Sequence, residues 1–277
     1  MYEIPAHIWA KIHRYQPVDM DGLTFYPVRV REMNELLIAT PALEFVQRSL
    51  PVAMLSRPLL DAFFGMDMAA MESGGTPELL FRAIAGLVLA LRIGEGMAME
   101  QRLIMVHIVP VENDRNRLKH LVVTTESGEH HITPAQFQAY RVLIGAQNGV
   151  EIPSDKANPD IVAAEREAML KSAKDLQISV EDQIQFVASL CHVDESEIDE
   201  WPILKLKKRE GALTQVIRHV LCGIGEANGA KWDSGNPYPH PYYKRKESDS
   251  AGLKNMRDIL PENAEKAVGA PGARQAE

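Results

Sequence analysis

The chain has 277 residues, 45% hydrophobic and 25% charged, which suits an ordinary globular protein with length for one large domain or two smaller ones. Its formal net charge of -8 argues against a general affinity for nucleic acid, which needs a dominant cationic field. Two cysteines, Cys191 and Cys222, are too few for a disulfide framework, and no cationic, then apolar leader opens the sequence, so a cytoplasmic protein is expected.

In chain order, Asp21-Gly22 is a turn signal and residues 23–30 read as a strand. Pro27 lacks an N–H, which places that strand at an edge. Helical pieces are expected over residues 31–39 and 41–48, with Pro51 and Pro58 breaking the next stretch into short turns or helices ending near Gly65. Thr76, Pro77 and Glu78 then supply a cap, a pre-set first turn and a charge at the positive dipole end. Leu80, Ile84, Leu87, Val88 and Leu91 recur at helical spacing, so residues 77–93 are predicted to form a central core helix. Arg82 and Arg92 leave its uncharged stretch too short to span a bilayer.

From residue 103 the pattern changes to β. Residues 103–109 and 121–125 are apolar, β-branched runs around a polar loop at 112–117, and a turn at 126–128 leads to a third strand at 129–132. Thr133 and Gln136 form a capping-box pattern for a helix to about residue 146, stopped at Asn148-Gly149. A linker follows at 150–156. Helices are then expected from Asn158-Pro159-Asp160, with Glu167 and Lys171 spaced as an i,i+4 pair, and from Ser179, with Ile184, Val187, Leu190 and Cys191 as its buried stripe. A third, short helix is capped by Asp194 and ends at Pro202, and a fourth carries Leu213, Val216, Ile217, Val220, Leu221 and Ile224 on one face.

These elements predict an α+β, predominantly helical protein: a small antiparallel β unit packed with helices, a C-terminal helical region and a disordered tail. The expected division is a mixed region at 1–149 containing a β-β-β-α unit at 103–146, a helical domain at 150–230, an aromatic and proline-rich strap at 231–245 and a largely disordered tail at 246–277 with a turn of helix around 253–260.

Chemistry-bearing residues are sparse. Cys191, His192, His219 and Cys222 have the ligand types of a tetrahedral zinc site, yet adjacent Cys191 and His192 fit one ion poorly, and buried free cysteines are common. Acidic residues from Asp194 to Glu200 deny a Cys191 nucleophile the electropositive setting that a thiolate needs. His107, His130 and His131 lie on the predicted sheet, where an enzyme site would need them to converge with a carboxylate. Alternation sends His130 and His131 to opposite faces, and His107 in an apolar strand needs a hydrogen-bonding partner. The basic cluster at Lys205, Lys207, Lys208 and Arg209 balances the acids before it, and Met66, Met68 and Met71 offer adaptable packing. No cofactor is expected.

Residues 231–245 interleave Trp232, Tyr238, Tyr242 and Tyr243 with Pro237, Pro239 and Pro241. Alternating prolines favour an extended backbone, and tyrosines give contact area at low rotamer cost, so the strip is either a strap over the helical region or a docking segment.

Two stretches, Leu23-Thr-Phe-Tyr-Pro-Val-Arg-Val-Arg-Glu-Met-Asn-Glu-Leu-Leu37 and the helix-turn-helix of 184–205 containing Glu197-Ile-Asp-Glu-Trp-Pro202, resemble bacteriophage tail assembly chaperones and baseplate assembly proteins. Asn236-Pro-Tyr-Pro239 is similar to their endings. The resemblance covers about half of the chain and leaves out the β-β-β-α unit. It implies a non-catalytic role in virion morphogenesis: binding a protein partner such as a tape-measure or other tail component, in the host cytoplasm or on the virion, with self-association open. No nucleic acid or membrane partner is expected. Trp201, Pro202, Trp232, Tyr238, Tyr242 and Tyr243 are the expected contact anchors.

Overall fold

Helix α1 (Ala6–His13) buries Ile8 and Ile12 and leads into a two-stranded hairpin of β1 (Val18–Met20) and β2 (Leu23–Phe25). Asp21 and Gly22, at φ 52° and 79°, give the doubly left-handed turn that matches strand twist. The structure is a computed structural model describing residues 2–125, 127–154, 157–172, 179–231 and 236–241, with backbone alone at 166 and 169–172. The expected strand to residue 30 stops at Phe25, and the next backbone groups find other partners. Tyr26 N donates to Ala90 O, Val28 N to the Asn148 side chain and Val30 N to Trp201 O. The edge placement expected from Pro27 therefore becomes a crossing segment tied to α4, to α6 and to the turn before α10.

A 3-10 turn at Val30–Glu32 enters α2 (Met33–Leu43). Two helices separated at Thr40-Pro41 were expected, but Pro41 sits within the last turn of one. Ala39, Ala42 and Leu43 are fully buried there, and that packing offsets the lost hydrogen bond. Helix α3 (Leu59–Glu72) likewise runs straight past the predicted end at Gly65.

Helix α4 (Leu79–Ala90) is buried along most of its length and is the central element that its periodicity predicts. It starts later than Thr76, and its cap comes from another helix. Asp67 of α3 accepts from Glu78 N and Leu79 N (3.1 Å each) and from Leu80 N (2.8 Å).

Residues 103–104 end a short helix, α5 (Met99–Ile104), where a strand was expected. The sheet proper is β3 (His107–Val111), β4 (Asp114–Thr125) and β5 (Gly128–Ile132), antiparallel in that order. The polar loop expected at 112–117 is mostly strand. Asp61 of α3, buried at 1% exposure, draws it in by accepting from Arg117 Nε (2.7 Å) and Leu118 N (2.8 Å). Leu118, Leu121, Val123 and Ile132 form the covered face of the sheet, and each buried aliphatic side chain contributes about 1.5–3 kcal/mol. Helix α6 (Phe137–Asn148) closes the unit and ends, as predicted, with Gly149 left-handed at φ 63°.

Helices α7 (Pro159–Ser172), α8 (Val180–Cys191), α9 (Glu195–Asp199) and α10 (Ile203–Ala227) follow. Ser179 and Asp182 make a complete capping box on α8, and Asp194 caps α9. The Lys171 side chain of the expected Glu167 pair, Trp232, Tyr242, Tyr243 and the expected tail at 246–277 lie outside the described residues.

The chain divides into two compact units, Met1–Gly211 and Ala212–Glu277. A boundary near residue 150 was expected. It falls later because Ile203 N donates to Val28 O, Lys207 Nζ to the carbonyls of Asn148 and Gly149, and Glu200 pairs with Arg29 and Arg31. These bonds hold α9 and the start of α10 in the first unit. The fold is α+β and mainly helical, as composition and pattern indicate.

Candidate interaction surface

The second half of α10 belongs to the second unit and presents two contrasting sides. Leu213, Val216, Ile217, Val220, Leu221 and Ile224 recur at spacings of three and four, so one side is apolar along its whole length. Periodicity of this kind ordinarily marks a buried face. Here Val220 is 51%, Leu221 61% and Ile224 53% exposed, with Val216 and Ile217 exposed as well. An apolar stripe left in water on a regular helix is the type of surface that marks an interaction site.

The opposite side of α10 is occupied. Arg218 Nη1 donates to the Tyr238 hydroxyl at 3.1 Å, with its guanidinium 5.6 Å from that ring's centroid. His219 donates through Nδ1 to the Tyr238 carbonyl at 2.8 Å, the tautomer that a carbonyl acceptor requires. Tyr238 N in turn donates to Asn236 Oδ1 at 2.8 Å, which fixes the local turn. Tyr238 is thus engaged by α10, as a strap would be. Cys222, spaced four from Arg218 and three from His219, is on the same side and is buried.

Trp201 and Pro202 are placed quite differently from the contact anchors expected of them. Trp201 is only 7% exposed, its carbonyl accepts from Val30 N at 2.9 Å, and Pro202 forms an isolated bridge with Arg29. Lys205 Nζ lies 3.6 Å over the indole, and burial pulls this lysine's pKa below its usual range. These two residues join residues 28–30 to the start of α10, and the indole is spent on packing.

His107, His130 and His131 do not converge. Register puts His107 and His131 beside Val122 on one face and His130 beside Val123 on the other. His131 stacks on His120 with centroids 4.5 Å apart and pairs with Glu129 at 3.0 Å. The His120 imidazole sits below the ordinary histidine range, chiefly through partial desolvation and then through the charges of His131 and Lys119. His130 Nε2 bonds Ser127 Oγ at 2.8 Å across the hairpin turn. His107 is exposed, so it has no need of the buried partner that its apolar strand suggested.

Cys191 and His192 lie in the first unit, His219 and Cys222 in the second, and His192 is left-handed at the end of α8. Among the described residues no group of three or more His, Cys, Asp or Glu side chains is arranged to hold a metal ion. No helix among them is long and apolar enough to cross a membrane.

A second apolar surface lies in the first unit. Phe64, Met68, Met71, Leu80, Phe81 and Ile108 line a groove of about 270 Å³, with Met71 and Phe81 exposed at its rim. It includes two of the three methionines singled out for adaptable packing. Met66 is not among its lining residues. The chain matches no protein-family model, no curated protein and no solved structure.

Proposed function

We propose that this chain is a non-catalytic protein-binding factor of phage tail morphogenesis, a tail assembly chaperone or baseplate-associated protein, which binds its partner through the apolar side of α10. The observation that carries the reading is the exposed stripe from Val216 to Ile224, opposite the side engaged by Tyr238. A helix presenting anchors at spacings of three and four is a standard mode of protein recognition. The tail-morphogenesis part rests on the two resembling stretches. They are also neighbours in space: residues 28–30 bond to 201–203, and Arg29 and Arg31 pair with Glu200. A tail component such as a tape-measure protein is the partner this reading assigns, met in the host cytoplasm.

The test is co-expression with the products of a tail gene cluster, followed by affinity capture and identification of what is retained. A tail protein is expected with the wild-type chain. Paired Ile217→Glu and Val220→Glu substitutions should weaken that capture at least about thirtyfold, equivalent to about 2 kcal/mol at a central anchor, with an unchanged circular dichroism spectrum. Capture of no tail protein by the wild-type chain, or undiminished capture by the double variant, would overturn the reading.

A further inference from the structure

A polar cavity of about 520 Å³ opens in the first unit beside the end of α4. One part of its lining is hydroxylic: Thr24 of β2, Thr124 and Thr125 of β4 and Ser127 of the hairpin turn. The other is the segment that leaves α4, including Arg92, Gly94 and Glu95, with Tyr26 beside it.

Arg92 ends α4 as Tyr15 ends α1 and His192 ends α8, each a non-glycine residue in the left-handed region. Arg92 N donates to Leu89 O and Ile93 N to Val88 O, the paired bonds of a Schellman ending. The residue at this position is left-handed, and glycine normally fills it because a Cβ is disfavoured there. Helix α6 follows that rule with Gly149, whereas Arg92 adopts φ 55°. What sets Arg92 apart from Tyr15 and His192 is the place of its side chain. That guanidinium lies 4.3 Å over the Tyr26 ring and lines the cavity.

The surrounding charges favour an anion. Arg29 and Arg31 each pair with both Glu95 and Glu200, with contacts of 2.8 Å and 3.0 Å for Arg29, so these four groups balance. Arg92 approaches Glu95 only to 3.8 Å and is the surplus cation of the five. The nearby Arg102 is balanced by Glu32 at 2.8 Å. Asp19, which accepts from the Thr24 hydroxyl at 2.9 Å, is paired with Lys11 at 3.4 Å, so among these described groups Arg92 leaves a positive excess beside the hydroxyls.

We propose that this cavity binds a small polyhydroxylated molecule bearing one oxyanion group. The oxyanion meets Arg92, whose planar fork suits phosphate or carboxylate, and the ligand's hydroxyls meet Thr24, Thr124, Thr125 and Ser127. Its volume falls in the range of small-ligand sites. The site is independent of the α10 surface.

The experiment titrates the full chain with ribose 5-phosphate, gluconate and neutral ribose, following amide resonances of residues 92–95 and 124–127. Saturable shifts are expected below about 10 mM for at least one charged probe, with ribose at least about tenfold weaker. Which charged probe binds tells phosphate from carboxylate. Arg92→Gly should lose the charged-probe shifts yet raise the melting temperature, since glycine relieves the left-handed backbone. Absence of shifts with both charged probes, shifts that persist in the variant, or a lower melting temperature would overturn the proposal. The last result would assign Arg92 to holding Tyr26 and Glu95.

Discussion

At the scale of single residues, two buried carboxylates organise the first unit. Asp67 satisfies three N–H groups at the start of α4, and Asp61 ties α3 to β4 through a backbone N–H and the Arg117 side chain. Each replaces several waters with aligned donors, so truncation leaves orphaned backbone groups in a packed interior. Asp67→Ala is expected to destabilise the chain by about 2–3 kcal/mol, as the loss of a cap and of a buried acceptor together. Urea denaturation followed by circular dichroism measures this as a lower midpoint with an unchanged slope. Neither role could be read from the sequence. The Thr76-Pro77-Glu78 signal announced a helix correctly, but its cap comes from a residue on a different helix, and local spacing carries no trace of that.

At the scale of elements, legibility followed the length of the repeating pattern. The α4 stripe, the Ser179 capping box and the Gly149 stop each had a local signature, and each is present. Helix α1 starts after Pro5 with no side-chain cap, and β1 has three residues, too few to show alternation. The early part of β4 is polar and reads as loop, and its pairing with β3 is irregular around Pro110, which has no N–H to donate. Helix α10 was legible in its periodicity, and its exposure was not, because spacing shows that residues share a face without showing what covers it. Gly211 and Gly223 lie inside this helix, and a Cβ at either would meet open space. Gly211→Ala and Gly223→Ala are each expected to stabilise α10 by about 0.5–1 kcal/mol. Native-state amide exchange on residues 212–227 would show slower exchange in both variants, and faster exchange would contradict the assignment of these positions to unobstructed helix.

At the scale of the whole molecule, the boundary between Gly211 and Ala212 falls within α10, so one continuous helix serves both units. The candidate surface belongs to the second. Strap and docking roles for residues 231–245 were both open from the sequence, and the described contacts of Tyr238 favour the strap for its central part. A chain ending at residue 230 should therefore expose Cys222 and the side of α10 carrying Arg218 and His219. The expected outcomes are faster reaction of one cysteine with a thiol reagent and lower solubility, with partner capture by the apolar side retained. Lost capture with an unchanged thiol rate would assign the strip to docking instead.

The pairing of residues 28–30 with residues 201–203 also governs when the first unit can be completed. On a ribosome adding about 5–20 residues each second, Val28 and Val30 emerge long before Trp201 and Ile203. During that interval the hairpin and α2 lack the backbone partners that close this edge, and contacts so distant in sequence form slowly even once both strands of the pairing exist. A growing chain therefore carries an open seam until the start of α10 appears, and early termination anywhere in α7 or α8 leaves the N-terminal segment without its clasp.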